Sequence, residues 1–291
     1  MADQQMIGGY RLRHLIQTSQ LTQVYEVVDP TSNVHYAMKV LLPEVADDKV
    51  HRSTLFHEAE VGIKMRHENV IRITKVDQSL ETPFFIMEFF RAGSLRSRLL
   101  SKDPKEKLFV RQNAMKIFKQ VATGLAYMHA SGWVHCDVKP DNVLVNAQGE
   151  LRIIDFAISK KPPTGLAKLF YKKKKPQGTP SYMAPETIRG EIVDSRADIY
   201  SFGATLYELT TGRPPFRGNT QTDLLNKHIA EKPVSPGNYN KDLTEEFCSL
   251  VLKMLVKKRE ERIESCHKIL QALQTIRVFK DDPRPGSDGA H

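Results

Sequence analysis

The chain has 291 residues, 40% of them hydrophobic, which is enough for one large domain or two coupled lobes around a buried core. Apolar runs such as Phe84 to Met87 fall far short of the roughly 20 residues of a membrane-spanning helix, and the N-terminus shows no signal-peptide pattern. Cys136, Cys248 and Cys266 are too few and too scattered for a disulfide framework or a Cys-x-x-Cys metal pair, so a reducing, cytoplasmic setting without a membrane partner is expected.

The formal charge of +9 is local in origin. Between Phe156 and Pro185 there is no acidic residue and there are seven lysines: Lys160, Lys161, Lys168 and Lys172 to Lys175. Taking those seven from +9 leaves +2. The basicity therefore belongs to one segment. From Lys168 to Lys175 the only aromatics are Phe170 and Tyr171, so nucleic acid is not the expected partner.

In chain order, the β-rich runs Tyr10 to Leu15, Gln23 to Val28 and Tyr36 to Leu41 predict antiparallel strands separated by turn residues. A helix is expected over about 49–65, then strands over Val70 to Asp77 and Phe84 to Phe89, with Gly93-Ser94 marking an exit. From Arg111 to His129, Ala114, Ile117, Phe118, Val121, Ala122, Leu125 and Met128 recur at three- and four-residue steps, which predicts a core-facing helix. Ile199, Phe202, Leu206 and Leu209 repeat the pattern and stop at Gly212, before Pro214-Pro215. Further helices are expected at Thr220 to Ile229, Glu245 to Val256 and Glu264 to Ile276, and the last residues read as a mobile tail. The plan is α+β, with a sheet-rich small lobe over about 10–90, a helical large lobe over about 91–277 and a tail over 278–291.

Two loops of the large lobe concentrate chemistry. His135-Cys136-Asp137-Val138-Lys139-Pro140-Asp141-Asn142 precedes the strand Val143 to Val145, and the run Leu151 to Ile154 delivers Asp155-Phe156-Ala157. With Tyr36-Ala37-Met38-Lys39, His67-Glu68-Asn69-Val70-Ile71, Ala184-Pro185-Glu186, Asp198-Ile199-Tyr200-Ser201-Phe202-Gly203 and a late Arg262, the sequence resembles the protein kinase family over nearly its whole length.

The resemblance implies a bilobal fold with an ATP cleft, and a Ser/Thr protein kinase acting on protein hydroxyls with ATP and Mg²⁺ or Mn²⁺. Carried over residue by residue, Asp137 orients and deprotonates the acceptor, Lys139 supports the transferring phosphoryl group, and Thr179 hydrogen-bonds both. Asn142 and Asp155 hold the metal, while Lys39, paired with Glu58, holds the α/β-phosphates. Backbone groups at Glu88 and Phe90, after Met87, bind adenine between Ile16, Val24, Ala37 and Leu144. Glu186 is implied to pair structurally with Arg262.

The chain also departs from the family. Gln17, Ser19 and Thr22 stand at the three glycine positions of the phosphate-covering loop, so backbone approach to the phosphates should be hindered unless the two hydroxyls substitute. Ala157 ends D-F-G, which should restrict that segment's flipping, and Gly62 should loosen the helix carrying Glu58. Cys136 replaces the arginine of H-R-D, making this a non-RD sequence. The lysine segment is then a candidate to bind a phosphate on Thr164 or to recruit acidic substrates. Two functions follow: a slow or conditional kinase, or a pseudokinase acting as a scaffold.

Overall fold

The computed structural model describes residues 5–78, 81–173 and 175–283; Lys174 and the end of the expected tail, 284–291, lie outside the described residues. The chain forms two compact units, Met1–Ala92 with Ile154–Ala157, and Gly93–Ile153 with Ile158–His291. The first boundary lies within a few residues of the expected one. The return of 154–157 to the first unit was not expected from the chain order.

The first unit is a six-stranded antiparallel sheet in the order β1-β2-β3-β4-β6-β5. Its strands are β1 (Met6–Ile7), β2 (Tyr10–Thr18), β3 (Thr22–Val28), β4 (His35–Leu41), β5 (Ile73–Asp77) and β6 (Phe84–Glu88). Val27, Met38, Val40, Phe84 and Ile86 form a buried cluster on it. Helix α1 (Lys49–Lys64) starts where Asp48 accepts the N–H groups of Val50 and His51, satisfying amides that have no partner within the helix.

Gly62 is not a gap in this helix. A Cβ there would lie 2.3 Å from Cδ1 of Ile73, so the β5 isoleucine already fills the space and the expected loosening is not seen.

The second unit is mainly helical, with a small sheet of β7 (Gly93–Ser94), β8 (Val143–Val145) and β9 (Leu151–Ile153). Helices α2 (Leu95–Leu100) and α3 (Pro104–Gln112) precede α4 (Ala114–Ala130). The helix expected from Arg111 therefore breaks at Asn113, whose side-chain amide donates to the Phe109 carbonyl and competes with the helical ladder. On α4 the predicted apolar positions are buried, and Phe118 stacks on Phe247 with ring centroids 5.8 Å apart.

Beyond the short α5 (Pro185–Ile188), helix α6 (Ser195–Thr211) is buried along almost its entire length. It is capped by Asp194 at one end and ends at Gly212, as the sequence predicts. Helices α7 (Gln221–Ala230), α8 (Glu245–Met254) and α9 (Cys266–Thr275) complete the unit.

The chain does not loosen at 278. Val278 and Phe279 are buried, the Thr244 N–H donates to the Val278 carbonyl at 3.1 Å, and Asp281 pairs with Arg111 at 2.7 Å. Two apolar side chains in a run that reads as polar are enough to anchor it. No helix among the described residues is long and apolar enough to cross a membrane.

Candidate active site

Within the first unit, strand register places four of the candidate residues. Val24 pairs with Lys39, Ala37 pairs with Met87, and Ala37 lies two residues before Lys39, so all four point to one face of the sheet. Ala37 is buried and Val24 and Met87 are half-buried. Ile16 is exposed and sits at the irregularity between Leu15 and Gln17. The Glu88 N–H donates to the Arg72 carbonyl at 2.9 Å and its carboxylate accepts the Arg72 N–H at 3.0 Å; Phe90, just past β6, is half-buried.

Lys39 Nζ lies 2.6 Å from Oε2 of Glu58, which α1 delivers, and both side chains are largely buried. Burial works against the charge on Lys39, but Glu58 and Asp155 outweigh it and raise its pKa. Burial pushes the Glu58 carboxyl up to about 7; Asp155 adds to this and Lys39 opposes it.

A cavity of about 420 Å³ is lined by Ser19, Thr22, Lys39, Glu58, Asp155 and Ala157, so the hairpin tip, the ion pair and the Asp-Phe-Ala segment face one space. Asp155 adopts a positive φ of 70°, a conformation that non-glycine residues hold only under local constraint. Ala157 is not among the positive-φ residues, so its methyl group meets no backbone penalty in this arrangement. Its N–H donates to Oδ1 of Asp155 at 3.3 Å.

The tip of the β2–β3 hairpin closes on itself. Oγ of Ser19 accepts the N–H groups of Leu21 (3.3 Å) and Thr22 (3.0 Å) and lies 3.0 Å from the Thr22 hydroxyl, while the Ser19 N–H donates to the Thr22 carbonyl at 2.8 Å. No residue from Gln17 to Thr22 has a positive φ. A hydroxyl turn thus does the work that glycine conformations would otherwise do. The same hydroxyls that were expected to substitute for phosphate-binding amides are used within the turn.

In the second unit, four donors converge on Asp137. Oδ1 accepts the Thr179 N–H (3.0 Å) and hydroxyl (2.8 Å), and Oδ2 accepts Nζ of Lys139 (2.6 Å) and Nδ2 of Asn142 (3.1 Å). Lys139 also donates to Oγ1 of Thr179 at 2.7 Å, and Asn142 to the Asp137 carbonyl at 2.9 Å. Gly178 has φ of 126° and passes so close to the Cys136 carbonyl that a Cβ would meet it at 3.2 Å. Only glycine brings Thr179 to Asp137 along this path without strain. Leu144, half-buried in β8, belongs to this unit.

Asp198 is a site residue to which the sequence reading gave no role. Fully buried on α6, its carboxylate accepts the N–H groups of His135 and Cys136 and Nε2 of His129, each at 2.8 Å. Burial raises its pKa, but His129, His135 and the amides outweigh that and leave it lowered. The bonds hold Cys136 at φ of 69° and fix the stem of the loop carrying Asp137. The available signal was its place at the head of the Asp198-Ile199-Tyr200-Ser201-Phe202-Gly203 motif.

Burial, with the charge of Asp198, pushes the Cys136 thiol far above its usual range, which disfavours the thiolate. Glu186 and Arg262 form a buried bidentate pair at 2.7 and 3.0 Å, well away in sequence from the Asp137 loop. In the lysine segment, Lys161 lies over the Trp133 ring at 5.1 Å, and Lys172, Lys173 and Lys175 are exposed.

The profile of the protein kinase domain matches residues 10–274. Among curated proteins, the chain is 29% identical over 268 residues to a protein named as a probable serine/threonine-protein kinase of Clostridium acetobutylicum, covering 92% of this chain and 40% of that protein. It is 30% identical over 270 residues to the serine/threonine-protein kinase PksC of Streptomyces coelicolor, covering 89% and 47% respectively. With the serine/threonine-protein kinase PknB of Mycobacterium leprae it shares 27% identity over 278 residues, 94% of this chain and 43% of that one. The chain thus spans less than half the length of the curated relatives it matches.

Proposed function

The chain belongs to the protein kinase family, and on that premise we propose that it transfers the γ-phosphoryl group of ATP to serine or threonine hydroxyls of protein substrates. The observation that carries this reading is the convergence of Lys139, Asn142 and Thr179 on the Asp137 carboxylate.

A carboxylate offers about four acceptor positions, and the four donors fill them. A substrate hydroxyl can reach Asp137 only if one donor yields. Lys139 is the flexible one, and its release from Asp137 would carry its charge towards the transferring phosphoryl group. Asp137 then orients the hydroxyl and takes its proton, while Thr179 and Asn142 keep the carboxylate from turning.

From the first unit, Lys39 would hold the α/β-phosphates, with Glu58 fixing its position. Ile16, Val24 and Ala37 would cover the adenine ring, with backbone groups of Glu88 and Phe90 reading its edge beside Met87; Leu144 is a further candidate to cover it. The Asp155 carboxylate and the Asn142 amide oxygen, left to coordinate once Nδ2 has turned to Asp137, are hard donors suited to Mg²⁺ or Mn²⁺. When bound, that metal neutralises charge on the phosphates.

The lysine segment favours acidic substrate regions through charge complementarity. The three free thiols fit a reducing, cytoplasmic location.

The test is transfer from labelled ATP, with Mg²⁺ or Mn²⁺, to a generic protein substrate. Asp137→Asn keeps the shape and removes the base, so kcat should fall by about 10²- to 10⁴-fold. Equal transfer by both proteins, or none by the wild type, would defeat the reading.

A further inference from the structure

Three large apolar side chains stand in solvent within the acid-free lysine segment, and neither the chemistry of the site nor the core of the second unit uses them. Leu166, Leu169 and Phe170 are 77, 78 and 80% exposed, more than any other large hydrophobic side chain among the described residues. Attraction of acidic substrate regions, which the lysines alone explain, leaves this apolar surface without a purpose.

The segment that carries it is tied down on both sides. On one side Lys160 exchanges backbone hydrogen bonds with Val134 at 2.9 and 3.0 Å, and Lys161 lies over the Trp133 ring. On the other, the Tyr171 hydroxyl donates to the Glu191 carbonyl at 3.2 Å. Between these anchors runs a 3-10 turn, Gly165–Lys168, which the Leu169 N–H extends by donating to the Leu166 carbonyl at 3.0 Å. Residues three apart in such a turn lie one above the other. Leu166 and Leu169 therefore share a side, and Phe170 follows directly. Lys168, Lys172, Lys173 and Lys175 flank them and are exposed.

This pairing of apolar and cationic groups narrows the partner. Exposed apolar side chains gathered in one place mark an interaction surface. A second copy of the same patch would bring lysines against lysines. Nucleic acid would use the charges, but two of the three apolar side chains are aliphatic and give bases no stacking face. An anionic bilayer uses both halves: apolar side chains enter the boundary between headgroups and acyl chains, while lysines remain level with the lipid phosphates.

We propose that this turn and its lysines form a peripheral docking surface for anionic lipid membranes, with Leu166, Leu169 and Phe170 as the inserting side chains. Such a contact lies on the membrane and needs no spanning segment, whose absence was the ground for expecting no membrane partner. It involves no phosphoryl transfer, so it is tested separately from the kinase reading.

The experiment is co-sedimentation of the full chain with vesicles of phosphatidylcholine and phosphatidylglycerol in equal parts, and with vesicles of phosphatidylcholine alone. The wild type should bind the mixed vesicles about tenfold or more tightly than the neutral ones. Leu166→Ser/Leu169→Ser/Phe170→Ser keeps every charge and should weaken binding to the mixed vesicles by about tenfold or more. Lys172→Gln/Lys173→Gln/Lys175→Gln keeps the apolar side chains and should weaken it by about 100-fold, a factor of about five for each lysine. All six positions are exposed, so both variants should melt with the wild type by circular dichroism. A variant that melts early is replaced by its single substitutions, each expected to show its share of the loss.

Absence of binding to the mixed vesicles overturns the proposal. So does unchanged binding by the apolar variant, since the lysines would then be attracting any polyanion. Single-stranded RNA and poly-glutamate, run beside the vesicles, should bind more weakly and respond only to the lysine variant. Tighter binding of either one overturns the proposal in favour of a nucleic-acid or acidic protein partner.

Discussion

Glu58 shows how much a single residue owes to its surroundings. Its carboxyl would ordinarily titrate near 4.5, and burial, helped by Asp155 and opposed by Lys39, pushes it up to about 7. A raised folded-state pKa means that the folded protein holds a proton which the unfolded chain has already lost between those two values. The contribution to stability is complete below about pH 4.5 and is lost as pH rises through about 7. Relative to Glu58→Gln, which does not titrate, the wild type should lose on the order of 1 kcal/mol per pH unit across that window. Denaturant unfolding of the two proteins from pH 4 to 8 measures this, and a difference that stays constant with pH would rule it out.

Other single positions were legible to different degrees. Lys39, Glu58, Asp137, Lys139 and Asn142 stood out because their spacing matched a known arrangement. The Thr179 hydroxyl lies within hydrogen-bond reach of both the Asp137 carboxylate and the Lys139 ammonium group. Asp198 stood in a matched motif, but its role could not be read from it, since its partners lie 62 to 69 residues away.

Among the elements, the β2–β3 hairpin is the most informative. The sequence showed that Gln17, Ser19 and Thr22 stand where the family has glycine. The hydroxyl turn that replaces glycine geometry was not legible, because it depends on Ser19 Oγ reaching two amides three residues away or fewer. Under the kinase reading, the Leu21 and Thr22 amides would have to leave Ser19 before meeting a phosphate. Ser19→Gly should therefore lower KM for ATP by about 2- to 10-fold, the value of one or two modest hydrogen bonds, with kcat changing less. Initial rates against ATP concentration measure it; an unchanged or higher KM would show that the turn does not compete with the nucleotide.

Helix α1 gives the complementary lesson. Gly62 looked like a missing side chain when read alone. Ile73, eleven residues later, fills that volume from β5, so the defect exists only in the one-dimensional view. Conversely, α4 was legible along its length because a 3.6-residue repeat of apolar side chains needs no partner to be recognised. Its start was not: Asn113 ends α3 through a bond to Phe109 that periodicity does not encode.

At the scale of the whole molecule, Arg262 ties distant parts of the second unit together. Beyond the bidentate pair with Glu186, it donates to the backbone carbonyls of Arg196, Val256 and Lys257, with its side chain fully buried. Arg262→Ala would leave the Glu186 carboxylate buried without its cation, at a cost of about 3–5 kcal/mol. For a unit of this size that corresponds to a fall in the unfolding midpoint of roughly 10 °C. Scanning calorimetry checks it, and a midpoint within a degree or two of the wild type would mean that the pair is dispensable.

The sequence by itself determined the α+β class, the main strands and the longer helices, and the identity of the charged residues on the Asp137 and Asp155 loops. These depend on short-range periodicity and motif spacing, which the linear order preserves. Only the tertiary structure decided that residues 154–157 join the first unit, that the chain stays anchored past 278, and that Ile73 completes α1. Whether the partners lie eleven residues apart, as Gly62 and Ile73 do, or 170, as Arg111 and Asp281 do, the energy of such contacts comes from burial and pairing that exist only once both partners are in place.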